Sequence, residues 1–245
     1  MKRNFLIALI MAAVYLFPGK LSGQQFRGGL KGGLTATEVS GDQAGGPDKL
    51  GWFASVYTNM DLRPHSRLQL ELMYIQKGSR AFRAPSDAPP PPGTRLVAAS
   101  GLKQSVSEPG RDYRLYLHYV EIPLVFLFDF SVITGLPYVD RLTGEFGFSG
   151  ATVVGHYEEN EFGLDITGEM ARQKPFRRAE LNVLAGLHYP LLERLDAQIR
   201  FSQGVTPFRA HQGGSTSWYN RGQYNTVWSF GLSYTLFYES GNQEP

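Results

Sequence analysis

The chain has 245 residues, no cysteine, and 24 basic against 22 acidic side chains. A length of this order suits one β-barrel or one to two ordinary domains. The lack of cysteine excludes disulfides and a cysteine-linked lipid anchor, so the stability of the protein comes from the fold itself.

The first 23 residues have the pattern of a secretory signal peptide. Lys2 and Arg3 precede an apolar run over residues 5–17, and small residues end the segment at Gly23. The run is short for a spanning helix, so we expect cleavage after Gly23, with an uncleaved anchor as the alternative. Cleavage removes three of the 24 basic residues and no acidic one, which leaves 21 against 22. This balance does not indicate a nucleic-acid partner.

The rest of the chain contains no apolar stretch near the roughly 20 residues of a membrane helix. It contains instead about eight segments with the period of two that is typical of strands. They cover residues 26–36, 50–60, 67–78, 113–128, 142–156, 177–189, 195–205 and 223–237. Most reach the 9 to 11 residues that a tilted transmembrane strand needs. We therefore predict an all-β, eight-stranded, antiparallel up-and-down transmembrane β-barrel over residues 24–238, followed by a short tail, 239–245.

The connections between these segments alternate in length along the chain. Tight turns are expected at 61–66 and 190–194 and a moderate one at 129–141, whereas long polar connections occupy 37–49, 79–112, 157–176 and 206–222. An up-and-down barrel has short periplasmic turns at one rim and long external loops at the other. The order of the connections thus favours a barrel in the cell outer membrane of a Gram-negative bacterium.

The segment LQLELMYIQ (68–76) shows how the two faces of a strand differ. Leu70 and Leu72 share one face, and Glu71 lies on the other. In the last four segments too, one face carries large apolar residues and the other carries glycine, serine or charge. A narrow lumen requires a small, polar inner face, whereas a soluble ligand-binding barrel would put its apolar face inside. We therefore expect the leucines to face lipid and Glu71 to point into the barrel.

Tyrosines recur near the ends of the predicted strands. Transmembrane barrels carry aromatic girdles at the two membrane interfaces. We expect such girdles to include Tyr74, Tyr119, Tyr189, Tyr234 and Tyr238.

Seven charged side chains should point inward by strand phase. They are Lys31, Glu71, Lys77, Glu121, Glu145, Glu180 and Arg200. Charges in a narrow interior must pair or stay hydrated, because an unpaired charge in low dielectric is costly. An eight-stranded barrel is just wide enough for side chains to fill it. We expect a salt-bridge cluster that plugs the lumen, with a conducting pathway as the alternative.

Several stretches resemble the PorT-like family of outer-membrane β-barrel proteins, which is grouped with the porin family. They are GGLKGGL, LQLELMYIQKGS, YVEIPLVFLF, GLHYPL, FSQGVTP and FGLSYTLF, in chain order between residues 26 and 237. The pattern Y-x-E-I-P-L at 119–124 is the most specific of them. The resemblance implies an eight-stranded barrel. The namesake of the family is tied to type IX secretion and gliding, and most relatives have no assigned activity, so the secretion role does not transfer by likeness alone.

Catalytic and metal-binding motifs are absent from the sequence. It has no G-x-S-x-G, no H-E-x-x-H and no P-loop, and its five histidines lack metal-ligand spacing. We expect no enzymatic activity, no metal and no cofactor. The function predicted is that of a structural or interaction component of the outer membrane, with a small ligand-transporting or porin-like channel and a soluble ligand-binding barrel as alternatives.

The connection at 206–222 mixes aromatic and cationic side chains, a combination that suits glycan, lipopolysaccharide or protein contact. The residues concerned are Phe208, Arg209, His211, Trp218, Tyr219 and Arg221. We expect them to form an external contact loop, with an ordinary surface loop as the alternative. The expected partners are outer-membrane lipid and a protein or surface glycan bound through the long loops, and not nucleic acid.

The signal-peptide prediction is checked at the N-terminus of the mature protein. N-terminal sequencing of protein extracted from the membrane should read from Gln24. A chain that retains Met1 would contradict it.

Overall fold

A computed structural model describes residues 26–40, 46–83, 111–132, 139–159, 165–173, 175–209 and 222–238. The predicted signal peptide, 1–23, and the C-terminal tail, 239–245, lie outside the described residues. So do large parts of the predicted long loops, including 84–110 and 210–221.

Eight strands form the fold. They are β1 (Phe26–Ser40), β2 (Lys49–Arg63), β3 (Ser66–Arg83), β4 (Arg111–Asp129), β5 (Thr143–Glu159), β6 (Ala179–Leu192), β7 (Leu195–Gly204) and β8 (Tyr224–Tyr238). Each strand pairs in antiparallel fashion with the next, and β8 pairs with β1 to close the barrel. The predicted eight-stranded up-and-down barrel is confirmed, and most strands extend further than their alternating segments.

The two rims differ in their connections. At one rim, here called the short-turn rim, two-residue turns follow Arg63 and Leu192, and a 3-10 turn (Phe130–Val132) follows β4. The opposite rim, the long-loop rim, carries the longer connections. One of these contains a helix, α1 (Thr167–Gln173), that was not predicted because seven residues are too few to show a helical period. Among the described residues, no helix has the length and apolar character to cross a membrane.

The alternation of side chains gives the barrel an apolar outside and a charged inside. Leu50 is 75% exposed and Phe148 67% exposed on the outer wall, whereas Glu71 and Arg200 are each 2% exposed. Exposed aliphatic or aromatic side chains lie on seven of the eight strands, and on β7 the outward apolar side chains are half-buried. An apolar band of this kind around a polar interior is the pattern of a transmembrane barrel and the reverse of a soluble one.

The inward face is bulkier than the sequence analysis predicted. Towards the long-loop rim the lumen holds an apolar core of Val39, Phe53, Met73, Ile75, Leu115, Leu117, Tyr119, Ala151, Phe208 and Val227. The expectation of a uniformly small, polar inner face is therefore wrong for β3 and β4. Tyr119 is completely buried and lies inside the barrel, so its assignment to an aromatic girdle is also wrong. An eight-stranded lumen has room for such side chains, and they fill it.

Two glycines in the GGLKGGL stretch allow the barrel to close. A Cβ atom at Gly29 would lie 2.3 Å from the carbonyl oxygen of Tyr234, and one at Gly33 would lie 2.1 Å from that of Phe230. Both carbonyls belong to β8, which pairs with β1 at the seam. Glycine is required here because the two backbones approach too closely for any side chain.

The different rims define a topology that labelling can test. The chain has no native cysteine, so single cysteines report cleanly. We expect cysteines at positions 88 and 214, in the predicted external loops, to react with an impermeant maleimide on intact cells. Cysteines replacing His65 or Glu193, in the short turns, should react only after permeabilisation. Reaction of either turn position on intact cells would contradict this orientation.

Candidate functional site

Four odd-numbered strands bring their charges together in one layer of the lumen. Lys31 of β1, Glu71 of β3, Glu145 of β5 and Arg200 of β7 form this layer, here called the lower charged cluster. All four are buried. Inward side chains of alternate strands commonly share a layer in small barrels. The layer contains two cations and two carboxylates, so its formal charge is zero.

Arg200 is the centre of the lower charged cluster. Its NH2 and NH1 groups donate to the two carboxylate oxygens of Glu71 at 2.6 and 3.0 Å. Its Nε and NH2 groups donate to Glu145 at 2.6 and 2.8 Å. β3 and β7 are four strands apart in a ring of eight, so Arg200 and Glu71 come from opposite walls. The guanidinium therefore crosses the lumen and joins two carboxylates through bidentate contacts.

Three further side chains complete the pairing around Arg200. Lys31 Nζ donates to Glu71 Oε1 at 2.9 Å, and the amide of Gln69 donates to the same oxygen. His188 Nε2 lies 2.9 Å from Glu145 Oε2. Burying a charge is costly unless it has an opposite charge and hydrogen bonds. Both carboxylates of the lower charged cluster have them.

A second layer lies nearer the long-loop rim. It consists of Lys77, Glu121, Glu180 and Tyr119, here called the upper charged cluster. Lys77 Nζ lies 3.1 Å from Glu121 Oε2, 3.6 Å from Glu180 Oε1, and 4.7 Å from the centre of the Tyr119 ring. A cation over an aromatic face gains electrostatic stabilisation in addition to its ion pairs.

Uncharged donors hold the carboxylates of the upper charged cluster. The hydroxyl of Ser149 donates to Glu121, and the amide of Asn182 donates to Ser149 at 3.0 Å. The amide of Asn225 donates to Glu180 Oε2 at 2.8 Å. One lysine faces two glutamates in this layer, so neutral hydrogen-bond donors supply the stabilisation that a second cation would otherwise give.

Residues at the long-loop rim close the lumen above these layers. Arg209 donates to both carboxylate oxygens of Glu158, at 3.1 and 2.8 Å, and its guanidinium lies 4.0 Å from the ring centre of Phe176. Phe176 also stacks on Phe208, with ring centres 6.0 Å apart. We call this group the rim cap. It covers the apolar core from the outside.

The rim cap corrects two residues of the predicted external contact loop. Phe208 is 0% and Arg209 1% exposed, so neither presents a surface to an external partner. The cause is backbone pairing with Gln223, which turns this segment inward: Phe208 N donates to Gln223 O at 3.0 Å, and Gln223 N to Arg209 O at 2.8 Å. The other four members, His211, Trp218, Tyr219 and Arg221, lie outside the described residues.

The lumen opens at the short-turn rim instead. A cavity of about 420 Å³ there is lined mainly by polar side chains, among them Asn59, Thr143 and His188. Ion pairs cross the same rim, Arg67 with Asp129 at 3.1 Å and Arg27 with Asp61 at 3.1 Å. His188, which lines this vestibule, also contacts Glu145 of the lower charged cluster.

The structure places all seven predicted lumen charges inside the barrel, but it divides them between two layers. Glu158 was missed because the predicted strand ended at residue 156 and because β5, which continues to Glu159, changes phase before it. Tyr119 pairs with Val153 and His118 with Gly155, so an extra residue, Val154, bulges between them. A bulge of one residue moves every later side chain to the other face. The period of two therefore predicts which side chains of β5 face inward up to the bulge, and it predicts the wrong face beyond it.

In the portion of the chain that is described, no group of three or more histidine or acidic side chains is arranged to hold a metal ion. The carboxylates in the lumen are instead directed at lysine, arginine and amide groups.

No protein-family model and no curated protein matches the chain. The solved structure of Ail, the attachment invasion locus protein of Yersinia pestis in complex with the heparin analogue sucrose octasulfate, is similar at 11% identity and a TM-score of 0.41, over 86% of this chain and 99% of that one. Neisserial surface protein A, NspA, gives 12% identity and a TM-score of 0.40, over 86% of this chain and 97% of that one. CarO of Acinetobacter baumannii gives 9% identity and a TM-score of 0.37, over 83% of this chain and 97% of that one. Similarity at this level carries no argument about activity. The assignment to the outer-membrane type of barrel rests on the closed ring and its apolar exterior.

Removal of Arg200 tests the lower charged cluster. Arg200→Ala leaves two buried carboxylates with Lys31 as their one full cation in the cluster, which should cost on the order of 3 to 5 kcal/mol. The folded, heat-modifiable band should be lost at a clearly lower temperature in detergent. Adding Glu71→Gln should recover part of the loss, because it removes one uncompensated charge.

Two controls accompany this variant. Arg178→Ala removes an exposed guanidinium and should change stability by about 1 kcal/mol or less. Arg209→Ala is not a neutral control, because it breaks the buried pair with Glu158 and should also destabilise. Equal melting of the Arg200 and Arg178 variants would contradict the role of the cluster.

Proposed function

We propose that this protein is an outer-membrane β-barrel with a plugged interior, which acts as a structural or interaction component and not as an open channel. The observation that supports this proposal most directly is the position of Arg200. Its guanidinium donates hydrogen bonds to Glu71 on the opposite wall and to Glu145. A solute on the axis would have to separate these pairs. Breaking a buried ion pair costs several kcal/mol, so the barrel resists passage at rest.

Three further obstructions support the proposal. The upper charged cluster and the apolar core lie between the lower charged cluster and the long-loop rim, and the rim cap covers that end. A porin-like channel would need a continuous hydrated path through all of these layers. The vestibule at the short-turn rim meets the lower charged cluster through His188, which contacts Glu145.

The soluble alternative fits the side-chain distribution poorly. A soluble ligand-binding barrel exposes polar residues and binds its ligand in an apolar interior. Here the outer wall carries exposed residues such as Leu50, Phe148 and Phe237, and the layers next to the vestibule are charged. An exposed apolar belt of this extent would aggregate in water.

The proposed partners come from the sequence resemblance and from the loops. A place beside the type IX secretion machinery rests on the PorT-like stretches alone. Contact with a protein or a surface glycan would use the long loops. Phe208 and Arg209 would take no part in it, because both are buried. Delivery to the outer membrane would depend on the N-terminal segment 1–23.

Conductance measurements test the plug. Purified wild-type barrel in planar bilayers should give no stepwise ion current, because three layers close the lumen. Arg209→Ala should also stay closed, since the two charged clusters remain beneath the cap. Reproducible steps from the wild type would replace this proposal with the channel alternative.

Affinity purification from gently solubilised outer membrane tests the interaction role. We expect a stoichiometric protein partner that survives mild detergent, and components of type IX secretion if the resemblance extends to function. The matched sample is the same barrel with residues 85–109 of the predicted loop shortened, which should fold and lose a loop-bound partner. Recovery of the barrel alone from both samples would leave it with a structural role only.

A further inference from the structure

The vestibule at the short-turn rim has the size of a pocket for a small molecule. Its volume is about 420 Å³, and pockets for small ligands measure about 300–1,000 Å³. Most of its lining is polar, in contrast to pockets that hold apolar ligands. A second recess of about 390 Å³ at the same rim shares Arg27 and Arg67 with it. The rim therefore offers a hydrophilic molecule both space and hydrogen-bonding groups.

Ion pairs are already formed at the mouth of the vestibule. Arg27 lies 3.1 Å from Asp61, and Arg67 lies 3.1 Å from Asp129. The hydroxyl of Thr143 also donates to Asp129, at 2.8 Å. A charged ligand would compete with these partners, and the exchange of one partly exposed ion pair for another gains little free energy. The mouth thus does not select a ligand by net charge.

Other polar groups of the vestibule have unused hydrogen-bonding capacity. Asp196 lines the cavity, and its carboxylate forms no ion pair or side-chain hydrogen bond with the part of the chain that is described. Asn59 also lines it, and its buried Oδ1 atom has no donor. Gln198, opposite His188 in the β6–β7 ladder, is buried without a partner at either end of its amide. A buried acceptor without a donor is costly, so a bound donor would stabilise the site.

The unused groups require a ligand that both donates and accepts. Asp196 and the Oδ1 atom of Asn59 accept hydrogen bonds, whereas the guanidinium of Arg194 can only donate. Arg194 is exposed on the same lining and has no carboxylate partner among the described residues. An ammonium group would be repelled by Arg194, and a carboxylate would be repelled by Asp196. Hydroxyl groups donate and accept without a net charge, so several of them on one neutral molecule match this lining best.

Apolar surfaces complete the lining. Leu127, Pro190 and the ring of Tyr57 all contribute to it. The Tyr57 hydroxyl is hydrogen-bonded to Oγ1 of Thr235 at 3.0 Å, which holds the ring in place. A sugar ring has hydroxyl groups around its edge and C–H groups on its faces. It can therefore contact the polar groups and the aromatic surface at the same time.

We propose that the vestibule is a binding site for a short neutral saccharide. Hydroxyl groups of the sugar donate to the Asp196 carboxylate and to Oδ1 of Asn59, and they accept from Arg194, while one ring face packs on Tyr57. The site lies at the opposite rim from the long loops, so it is distinct from the glycan contact proposed for them. Binding in detergent does not depend on membrane orientation, on the plug or on a protein partner, so it is tested separately from the proposed function.

Isothermal titration calorimetry of the purified barrel tests the site, with maltose and N,N′-diacetylchitobiose as the two probes. The detergent must lack a sugar headgroup, because such a headgroup would compete for the vestibule. We expect saturable binding of at least one disaccharide, at one site per barrel. Asp196→Ala and Asn59→Leu should each weaken this binding at least about tenfold, because each removes an acceptor that the sugar uses. Asn59→Leu should keep the fold, since it removes an acceptor that the protein leaves without a donor.

Matched controls make the outcome specific. Thr58→Leu introduces the same side chain at the next residue of β2, which is exposed on the outer wall. Asp48→Ala removes an exposed carboxylate at the long-loop rim. Both should bind the disaccharide with wild-type affinity. All these proteins should keep the heat-modifiable mobility of the folded barrel.

The proposal fails on any of three results. Absence of saturable binding for both disaccharides would remove the site. Wild-type affinity in Asp196→Ala or in Asn59→Leu would show that the sugar binds elsewhere. Dialanine, a zwitterion without hydroxyl groups, binding as tightly as the disaccharides would show that charge selects the ligand. Saturable binding that both vestibule variants weaken and both controls retain supports the site as described.

Discussion

A charge that points into an eight-stranded barrel has almost no water around it, and this constraint governs the inside of the protein. The buried charge of Arg200, at 2% exposure, is tolerated because two carboxylates receive its hydrogen bonds. Glu71 and Glu145 in turn need Arg200, together with Lys31 and His188. The barrel wall has to place all these side chains at one height, so the register of the strands and the chemistry of the lumen depend on each other.

The same constraint explains how the lumen is arranged along its axis. Where a layer has equal numbers of cations and carboxylates, ion pairs make most of the contacts, and Gln69 and His188 complete them. Where carboxylates outnumber the cation, as around Lys77, amide and hydroxyl donors take the remaining acceptors. Nearest the long-loop rim, apolar side chains fill the space and need no pairing at all. The lumen thus combines two charged layers with a hydrophobic one, and a ligand would have to disturb both kinds.

The architecture followed from local pattern, whereas the contacts did not. Alternation and loop order sufficed for eight strands and for the inward direction of charges such as Glu71, because the period of two is fixed by strand geometry. The division into two clusters depends on the stagger between strands that are distant in sequence, which no local pattern encodes. Glu158 lies beyond the predicted strand and after the bulge at Val154, and backbone pairing with Gln223 turned Arg209 inward. Neither event has a signal in composition or spacing.

The use of alternate strands in the lower charged cluster has a consequence for assembly. Its charged members belong to β1, β3, β5 and β7, so no hairpin of neighbouring strands contains two of them. A partly formed sheet would carry inward carboxylates whose counter-ions are still on strands not yet in place. Charge neutrality of this layer is reached only when the ring is complete. The network therefore distinguishes the closed barrel from every open sheet that precedes it, and it penalises an assembly in which one strand is missing or shifted.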